Sequence, residues 1–263
     1  PADDRTVAAF IDDQATMKKP STLERYVSAI CFFHFHLEYE SPRKGRKTAL
    51  ALKRAKRQNR GPQRQATPLR EADVIMMVKH APDTLKGARD VALVTVGYDS
   101  MLRREELTRF TVGDVTPDPN GGAIVTLEHS KCDQFGSGED VYLRPGTYRC
   151  LKAWLERAEI TSGPVFRTLR RGTKASKPLR PADVPNVFRD MAMAAGISAD
   201  GVSGHSLRVG AAVDLAWSGA ALTQIMKRGR WQTEEMVMRY IRGILASQDG
   251  RATTKRDEWS DDS

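Results

Sequence analysis

The stretch Gly204–Arg242 reads GHSLRVGAAVDLAWSGAALTQIMKRGRWQTEEMVMRYIR and is the most informative part of the sequence. Its apolar spacing predicts helices over 206–218, 221–228 and 233–242, with His205 and Arg208 at the start of the first. Residues three apart share a helix face, and a helix N-terminus offers free N–H groups and a partial positive charge. The pair could therefore cradle one phosphate group. The alternative is a buried histidine satisfied by the backbone and an arginine in a surface ion pair.

Patterns upstream of this stretch predict a chain that is mainly α with a small antiparallel β-sheet. Ser21-Thr22-Leu23-Glu24 fits a capping box for a helix over 21–39. Thr67 and Pro68 fit the N-cap and the first position of another helix. The other predicted elements are helices at 4–15, 45–58, 68–80, 84–99, 103–110, 147–158 and 181–195 and strands at 123–127, 140–143 and 164–168.

The segment QNRGPQRQATP, residues 58–68, is polar and punctuated by glycine and proline, which is typical of a linker. We therefore predict a helical domain over 1–60, a linker over 61–67 and a second domain over 68–263. No internal repeat interrupts this division.

Composition excludes several classes of protein. The chain has 263 residues, of which 40% are hydrophobic and 29% charged, so a largely disordered or fibrous protein is excluded. No apolar run reaches the roughly 18 residues that a membrane span needs. Three cysteines, Cys31, Cys132 and Cys150, are too few and too scattered for a disulfide framework or a zinc site. A reducing, cytoplasmic location is the natural expectation.

The net charge of +9 is concentrated in two stretches. Eleven lysines and arginines and no acidic residue lie between Ser41 and Arg70, and six more without an acid lie between Thr161 and Pro181. Positive charges this close together repel one another unless a polyanion neutralises them, so the two stretches favour a nucleic-acid partner. A solvated linker and a solvated loop are the alternative.

The quoted stretch resembles the C-terminal catalytic box of the tyrosine recombinases, the phage integrase family, and most of all that of its Cre-like members. The family pattern is an early arginine, a lysine on a β-hairpin, His-x-x-Arg, a histidine or tryptophan, and a tyrosine. His205 and Arg208 match the third part, and Trp231 stands at the fourth position. Tyr240 follows Arg208 by 32 residues, as the family requires. The resemblance extends over about residues 3–245 and is strongest over 98–108 and 201–243.

Two upstream segments match the remaining parts of the pattern. YDSMLRREEL, residues 98–107, resembles the family's first box, Leu-Arg-x-x-Glu-Leu, which assigns Arg103 as the catalytic arginine and Glu106 as its supporting carboxylate. Arg104 would be the catalytic arginine if the motif were aligned one residue later. Lys131 follows a predicted strand and precedes a polar turn, and so matches the hairpin lysine. A solvated arginine and a solvated lysine are the structural alternatives.

The resemblance implies a reaction in which Tyr240 attacks a DNA phosphodiester and forms a covalent 3′-phosphotyrosine. Two guanidiniums, Arg103 and Arg208, suit the non-bridging oxygens because each can donate two parallel hydrogen bonds. His205 would donate a hydrogen bond or help to take the phenol proton, and Lys131 would protonate the departing 5′-oxygen. Trp231 can donate through its indole N–H alone. No metal or other cofactor is expected, because the arginines take the electrostatic role of one.

The resemblance also implies the partners: a C-shaped clamp of two domains around double-stranded DNA, four subunits on two inverted-repeat sites, and a Holliday junction. The first domain would be the helical core-binding domain of the family, and with about three helices in place of four or five we expect it to be incomplete at its N-terminus. His34 and His36 face different sides of a helix, so no metal site is expected there. Candidate base readers are Arg180 and Arg189. Candidate phosphate contacts are Arg43, Lys44, Arg46, Lys47, Arg54, Arg57, Arg60 and Arg64.

Two other functions remain open on the sequence. A DNA-binding protein could keep this fold without catalysis. A type IB topoisomerase or a telomere resolvase would share the tyrosine chemistry, but the Cre-like box argues against both.

Overall fold

The computed structural model describes residues 1–58, 65–127, 138–170 and 174–248, with side chains up to residue 245. The chain divides into two compact units, Pro1–Arg64 and Gln65–Ser263. The linker predicted at 61–67 lies partly outside the described residues, so its extent stays a prediction. No helix in the described part of the chain combines the length and the apolarity that crossing a membrane requires.

The first unit contains three α-helices: α1 (Asp4–Gln14), α2 (Pro20–His36) and α3 (Arg46–Gln58). Asp3 caps α1 by accepting a 2.7 Å hydrogen bond from the Thr6 amide. The capping box predicted at Ser21 is wrong, because α2 begins one residue earlier, at Pro20, whose fixed φ suits a first helical position. A small apolar core of Val7, Ile11, Leu23, Val27 and Ala51, among others, joins the three helices.

The second unit is built around α5 (Leu85–Ser100), a helix whose side chains are buried on most sides. This burial explains its run of apolar residues without a polar face. The helices that accompany α5 are α4 (Glu71–Lys79), α6 (Arg104–Arg109), α7 (Pro145–Arg157), α8 (Val184–Ala194), α9 (Ser206–Trp217), α10 (Leu222–Gly229) and α11 (Glu234–Gln248).

Two small antiparallel sheets complete the unit. The first has the order β1 (Val115–Pro117), β2 (Ala123–Leu127) and β3 (Glu139–Leu143). The second pairs β4 (Arg167–Arg170) with β5 (Lys174–Pro178). The sequence pattern missed β1 and β5, because these short strands are mostly exposed and lack an apolar alternation. It placed β4 three residues early, since the partly buried RTLR of this strand lacks an apolar alternation as well. The predicted class, mainly α with a small antiparallel sheet, is confirmed.

The segment before α4 differs from the prediction and positions α9. Thr67 and Pro68 do not start a helix; α4 begins at Glu71, where the Arg70 amide donates to the Asp73 carboxylate at 2.8 Å. The extended segment instead packs along α9, and the Leu69 amide donates to the Ser206 carbonyl at 3.0 Å. Gly210 permits this approach, because any β-carbon there would collide with the Leu69 carbonyl. The start of α9, where His205 and Arg208 lie, is thereby fixed.

Candidate active site

Side chains from four parts of the second unit meet at one site. Arg103 is the residue that precedes α6, and His205 is the residue that precedes α9. Arg208 lies in the first turn of α9, Trp231 follows α10, and Tyr240 lies within α11. The structure thus brings together residues that the sequence spreads from position 103 to position 240.

Arg208 is the most enclosed cation of the site, with 5% of its surface exposed. Its Nη1 donates to the Met101 carbonyl at 2.6 Å, and its Nη2 donates to the Gly229 carbonyl. The guanidinium carbon lies 4.3 Å from the centre of the Trp231 ring, which is within the range of a cation–π contact. Burial, followed by the charge of Arg103, lowers the pKa of Arg208 to about 9, so the side chain remains protonated at neutral pH.

Arg103 is held by Glu106, three residues later. The Arg103 amide donates to Glu106 Oε2 at 2.8 Å and its Nη1 donates to Glu106 Oε1 at 2.8 Å. Both bonds follow from the local fold, because Arg103 precedes the first residue of α6 and Glu106 lies in its first turn. Arg104, the arginine of the alternative alignment, instead lies inside the helix as its first residue.

Arg230 is a member of the site to which the sequence pattern gave no role. Its Nη2 donates to Glu106 Oε2 at 2.6 Å, its Nε lies 3.2 Å from Glu139 Oε2, and its side chain is 6% exposed. The carbonyl of the same residue accepts from Arg103 Nη2 at 3.1 Å. In the sequence, the one signal for this residue is its charged side chain between Gly229 and Trp231. That signal was insufficient, because burial of the charge depends on tertiary packing.

Glu106 is an ionised carboxylate between two arginines. Burial by itself would raise its pKa, but the charge of Arg230 and the hydrogen bonds from Arg103 outweigh burial and hold the pKa below its ordinary value. Three guanidiniums, Arg103, Arg208 and Arg230, therefore lie around the buried Glu106 carboxylate, and the Glu139 carboxylate lies beside Arg230. The excess of positive charge makes the site suitable for an anion such as a phosphodiester.

His205 lies at the open side of the site and is exposed. Partial desolvation of the ring, followed by the charges of neighbouring arginines with Arg208 first, lowers the pKa of His205. The imidazole is consequently neutral at pH 7. A neutral imidazole carries one donor and one acceptor nitrogen and can therefore donate a hydrogen bond or accept a proton.

Trp231 and Tyr240 are the two aromatic residues of the site. Their ring centroids are 6.2 Å apart at a tilt of 42°, and both side chains are half-buried. Gly229 is required here, because a β-carbon at this position would collide with the Trp231 ring. Tyr240 also lies within electrostatic range of the Arg208 guanidinium.

Lys131, predicted as the hairpin lysine, lies outside the described residues, as do Arg60 and Arg64. The strands that flank Lys131 are described, and they pair in register from Ala123 with Leu143 to Leu127 with Glu139. Within the described part of this sheet, Glu139, the first residue of β3, contacts the site through its ion pair with Arg230.

The candidate phosphate contacts of the first unit are all exposed but differ in their neighbours: Arg43, Lys44, Arg46, Lys47, Arg54 and Arg57. Arg54 forms a 2.6 Å ion pair with Asp12, and Arg43 donates to Ser28 Oγ at 3.0 Å. Among the described residues, Arg46, Lys53 and Arg57 have no carboxylate within ion-pair distance. They occur at helical spacing on α3, opposite its buried residues Thr48, Ala51 and Ala55.

The two candidate base readers also make contacts within the protein. Arg180 is 77% exposed in its side chain and pairs with Asp183 at 2.9 Å. Arg189 is half-buried, and its guanidinium donates to the Val202 carbonyl at 3.0 Å and to Asn186 Oδ1 at 2.9 Å. Arg189 is therefore less available for DNA than Arg180.

The described part of the chain contains no group of three or more residues that could hold a metal ion. His34 is buried, and its Nδ1 lies 2.7 Å from the Glu40 carbonyl while its Nε2 accepts from the Ala2 amide at 3.3 Å. Both ring nitrogens of His34 thus have partners in the first unit.

Known proteins resemble this chain over most of its length. Residues 68–244 match the Phage integrase family. An integrase/recombinase XerD homolog from Selenomonas ruminantium is 31% identical over 252 residues, which cover 92% of this chain and 74% of that protein. The recombinase Cre of Escherichia phage P1 is 23% identical over 242 residues, or 85% of this chain and 71% of Cre. A solved XerH site-specific recombinase matches 96% of this chain and 72% of its own, at 14% identity and a TM-score of 0.64. This likeness confirms the predicted fold.

Proposed function

Because the chain belongs to the phage integrase family, the tyrosine recombinases, we propose that it cleaves and rejoins DNA at specific sites through a 3′-phosphotyrosine on Tyr240. The observation that carries the proposal is the meeting of Arg103, His205, Arg208 and Trp231 with Tyr240 in one electropositive site. A tyrosine that served packing alone would not need to lie beside Arg208, at the edge of a cluster of three guanidiniums.

The reaction follows from the chemistry of these side chains. The phenol oxygen of Tyr240 attacks the phosphorus, a P–O bond to the tyrosine forms, and the P–O bond to the 5′-oxygen breaks. The phenol proton passes to a base, for which neutral His205 is suited. Lys131 supplies a proton to the departing 5′-oxygen. A 5′-hydroxyl that attacks the phosphotyrosine reverses these steps and rejoins a strand, so no external energy source is needed.

Electrostatic stabilisation is the main contribution of the arginines. Attack places additional negative charge on the non-bridging oxygens, and Arg103 and Arg208 are held in place before the substrate arrives. A preorganised donor of this kind contributes about 3 kcal/mol of transition-state stabilisation. The reaction as proposed uses these side chains in place of a metal ion or another cofactor.

Assembly on DNA is the second part of the proposal. Residues 1–60 would form the core-binding domain and 68–263 the catalytic domain, joined by a linker over 61–67, and together they would clamp a duplex. Four subunits would hold two inverted-repeat sites and exchange strands through a Holliday junction. Support comes from the XerH relative, whose structure contains a palindromic DNA substrate, and from the exposed cations of α3.

The test begins with a pool of randomised duplex oligonucleotides. Protein–DNA adducts that survive denaturation are recovered and sequenced, and an enriched duplex is rebuilt with a nick so that the cleaved strand diffuses away. The wild-type protein should accumulate a covalent adduct with this nicked duplex, and Tyr240→Phe should form none. Tyr142→Phe is the matched control, since Tyr142 is an exposed tyrosine of β3 in the same unit.

Each failure of this experiment identifies a different function. An adduct that persists in Tyr240→Phe contradicts the assignment of the nucleophile. Salt-sensitive binding without an adduct would indicate a non-catalytic DNA-binding protein. Relaxation of supercoiled DNA that lacks the enriched sequence would indicate a type IB topoisomerase, and hairpin-ended products would indicate a telomere resolvase.

A further inference from the structure

Arg230 occupies a position that costs stability in two ways. Its backbone is in the left-handed region, at φ 51° and ψ 47°, where residues other than glycine are strained. Its side chain is buried and charged; within the described residues its Nη1 has no hydrogen-bond partner, and its Nε has only the 3.2 Å ion pair with Glu139. Buried donors without partners destabilise the folded state. Stability therefore does not explain why an arginine stands here, and strained or unsatisfied groups of this kind cluster at functional sites.

The contacts of Arg230 converge on Arg103 by two routes. The side chain donates to Glu106 Oε2, and Glu106 Oε1 in turn accepts from Arg103 Nη1. The backbone carbonyl of Arg230 accepts directly from Arg103 Nη2 at 3.1 Å. Both terminal nitrogens of Arg103 are thus oriented by groups that Arg230 either supplies or contacts. This closed ring fixes the plane of the Arg103 guanidinium.

The same residue connects two other parts of the site. Arg230 immediately precedes Trp231, and its Nε lies 3.2 Å from Glu139 Oε2 at the start of β3. One side chain therefore contacts carboxylates from α6 and from the three-stranded sheet, while its backbone belongs to the turn that carries Trp231.

We propose that Arg230 is a positioning residue for the DNA-cleavage reaction, which holds Glu106 and, through it, Arg103 in the orientation that a phosphate requires. The inference rests on the proposed function, because it assigns the orientation of Arg103 to the cleavage step. Arg230 acts through its neighbours and does not itself contact the reacting atoms. Its removal should slow cleavage without weakening DNA binding, since small misplacements of a catalytic group cost on the order of 100-fold in rate.

A pH profile separates this role from a merely structural one. Glu106 contacts Arg103, the residue before α6, and Arg230, the residue after α10, with Arg208 of α9 and Glu139 of β3 nearby. Arg230 is the strongest of the influences that keep the pKa of Glu106 low. Without the charge of Arg230, that pKa should rise. The acidic limb of the pH–rate profile for cleavage should then move to higher pH. A general loss of folded protein would instead lower the rate by the same factor at every pH.

The experiment measures single-turnover adduct formation on the enriched nicked duplex across pH, and the dissociation constant for the same duplex without a nick. Arg230→Met should cleave about 10- to 100-fold more slowly at neutral pH, with an unchanged dissociation constant and an acidic limb at higher pH. Arg230→Lys keeps the charge without the planar fork, so its rate should be intermediate and its limb close to that of the wild type. Arg157→Met is the control, since Arg157 is an exposed arginine whose ion-pair partner is Asp83 and not a residue of the site.

Arg230→Gly keeps the inference falsifiable if the methionine variant does not fold, because glycine accepts the left-handed backbone without strain. It should show the same slow cleavage and the same shift of the acidic limb. Cleavage at the wild-type rate in either folded variant would overturn the inference, and so would a rate loss with an unshifted limb. Both results leave the proposed function standing. Absence of an adduct from the wild-type protein would overturn the proposed function and this inference together.

Discussion

Replacement of Arg208 by lysine tests the geometry of the site most directly, because it keeps the charge and removes the shape. The guanidinium donates to the carbonyls of Met101 and Gly229 and lies against the Trp231 ring. A lysine ammonium is a compact point charge on a flexible stem, and its bonds are not arranged as a rigid fork. It cannot reproduce two divergent carbonyl bonds and a flat contact with an aromatic ring at the same time.

The expected losses can be worked from these contacts. For catalysis, a missing preorganised donor removes about 3 kcal/mol of transition-state stabilisation. At roughly 1.4 kcal/mol per tenfold, this loss corresponds to cleavage about 100-fold slower. For stability, one buried carbonyl left without a donor costs about 1–3 kcal/mol. The weakened cation–π contact adds up to about 2 kcal/mol, since the pair is largely desolvated.

Two assays measure these losses separately. Single-turnover adduct formation on the nicked duplex gives the rate, and urea denaturation followed by tryptophan fluorescence gives the free energy of unfolding. Arg157→Lys is the matched control, because its exposed pair with Asp83 should contribute little to either quantity.

One result would refute the reasoning. If Arg208→Lys cleaves at a rate close to that of the wild type, the reaction does not depend on the planar guanidinium or on its two carbonyl contacts. A loss of stability together with an unchanged rate would restrict Arg208 to packing.

Two further predictions concern the surface and the acid stability of the protein. Arg57→Ala should weaken DNA binding and reduce the slope of log affinity against log salt by about 1, whereas Arg54→Ala should change it less because Asp12 already neutralises Arg54; titrations at several salt concentrations measure both. Because the folded-state pKa of Glu106 is depressed, its stabilising contribution is present above its unfolded pKa and is lost as pH falls through the folded value. Acid titration of Glu106→Gln should therefore show a flatter loss of stability than the wild type.

Local sequence patterns were sufficient for most helices. The three helices predicted within 204–242 occur at Ser206–Trp217, Leu222–Gly229 and Glu234–Gln248. The prediction succeeded because the apolar spacing that indicates each helix lies within the helix itself. The same kind of evidence failed at Thr67-Pro68, where a plausible N-cap lies in an extended segment packed on α9. Hydrogen bonds to Gly201 and Ser206 stabilise that extended form, and their partners are more than a hundred residues away.

The candidate site shows a similar division. The motif that selected Arg103 over Arg104 depends on Glu106 three residues later, and the structure places an ion pair between Arg103 and Glu106. Roles for these residues stay predictions until cleavage is measured. Arg230 had no such local signature, because its partners Glu106 and Glu139 come from distant elements.

The sequence by itself determined the helical class of the chain and its family, and it predicted which side chains would act on a phosphodiester. Residue spacing within one helix or one turn dictates which groups share a face, and these spacings are local. Only the tertiary structure decided that Arg230 is buried on a left-handed backbone beside Glu106, and which cations of α3 lack a carboxylate neighbour among the described residues. Those properties depend on which elements pack together, because burial and ion pairing are set by long-range contacts that no local period encodes.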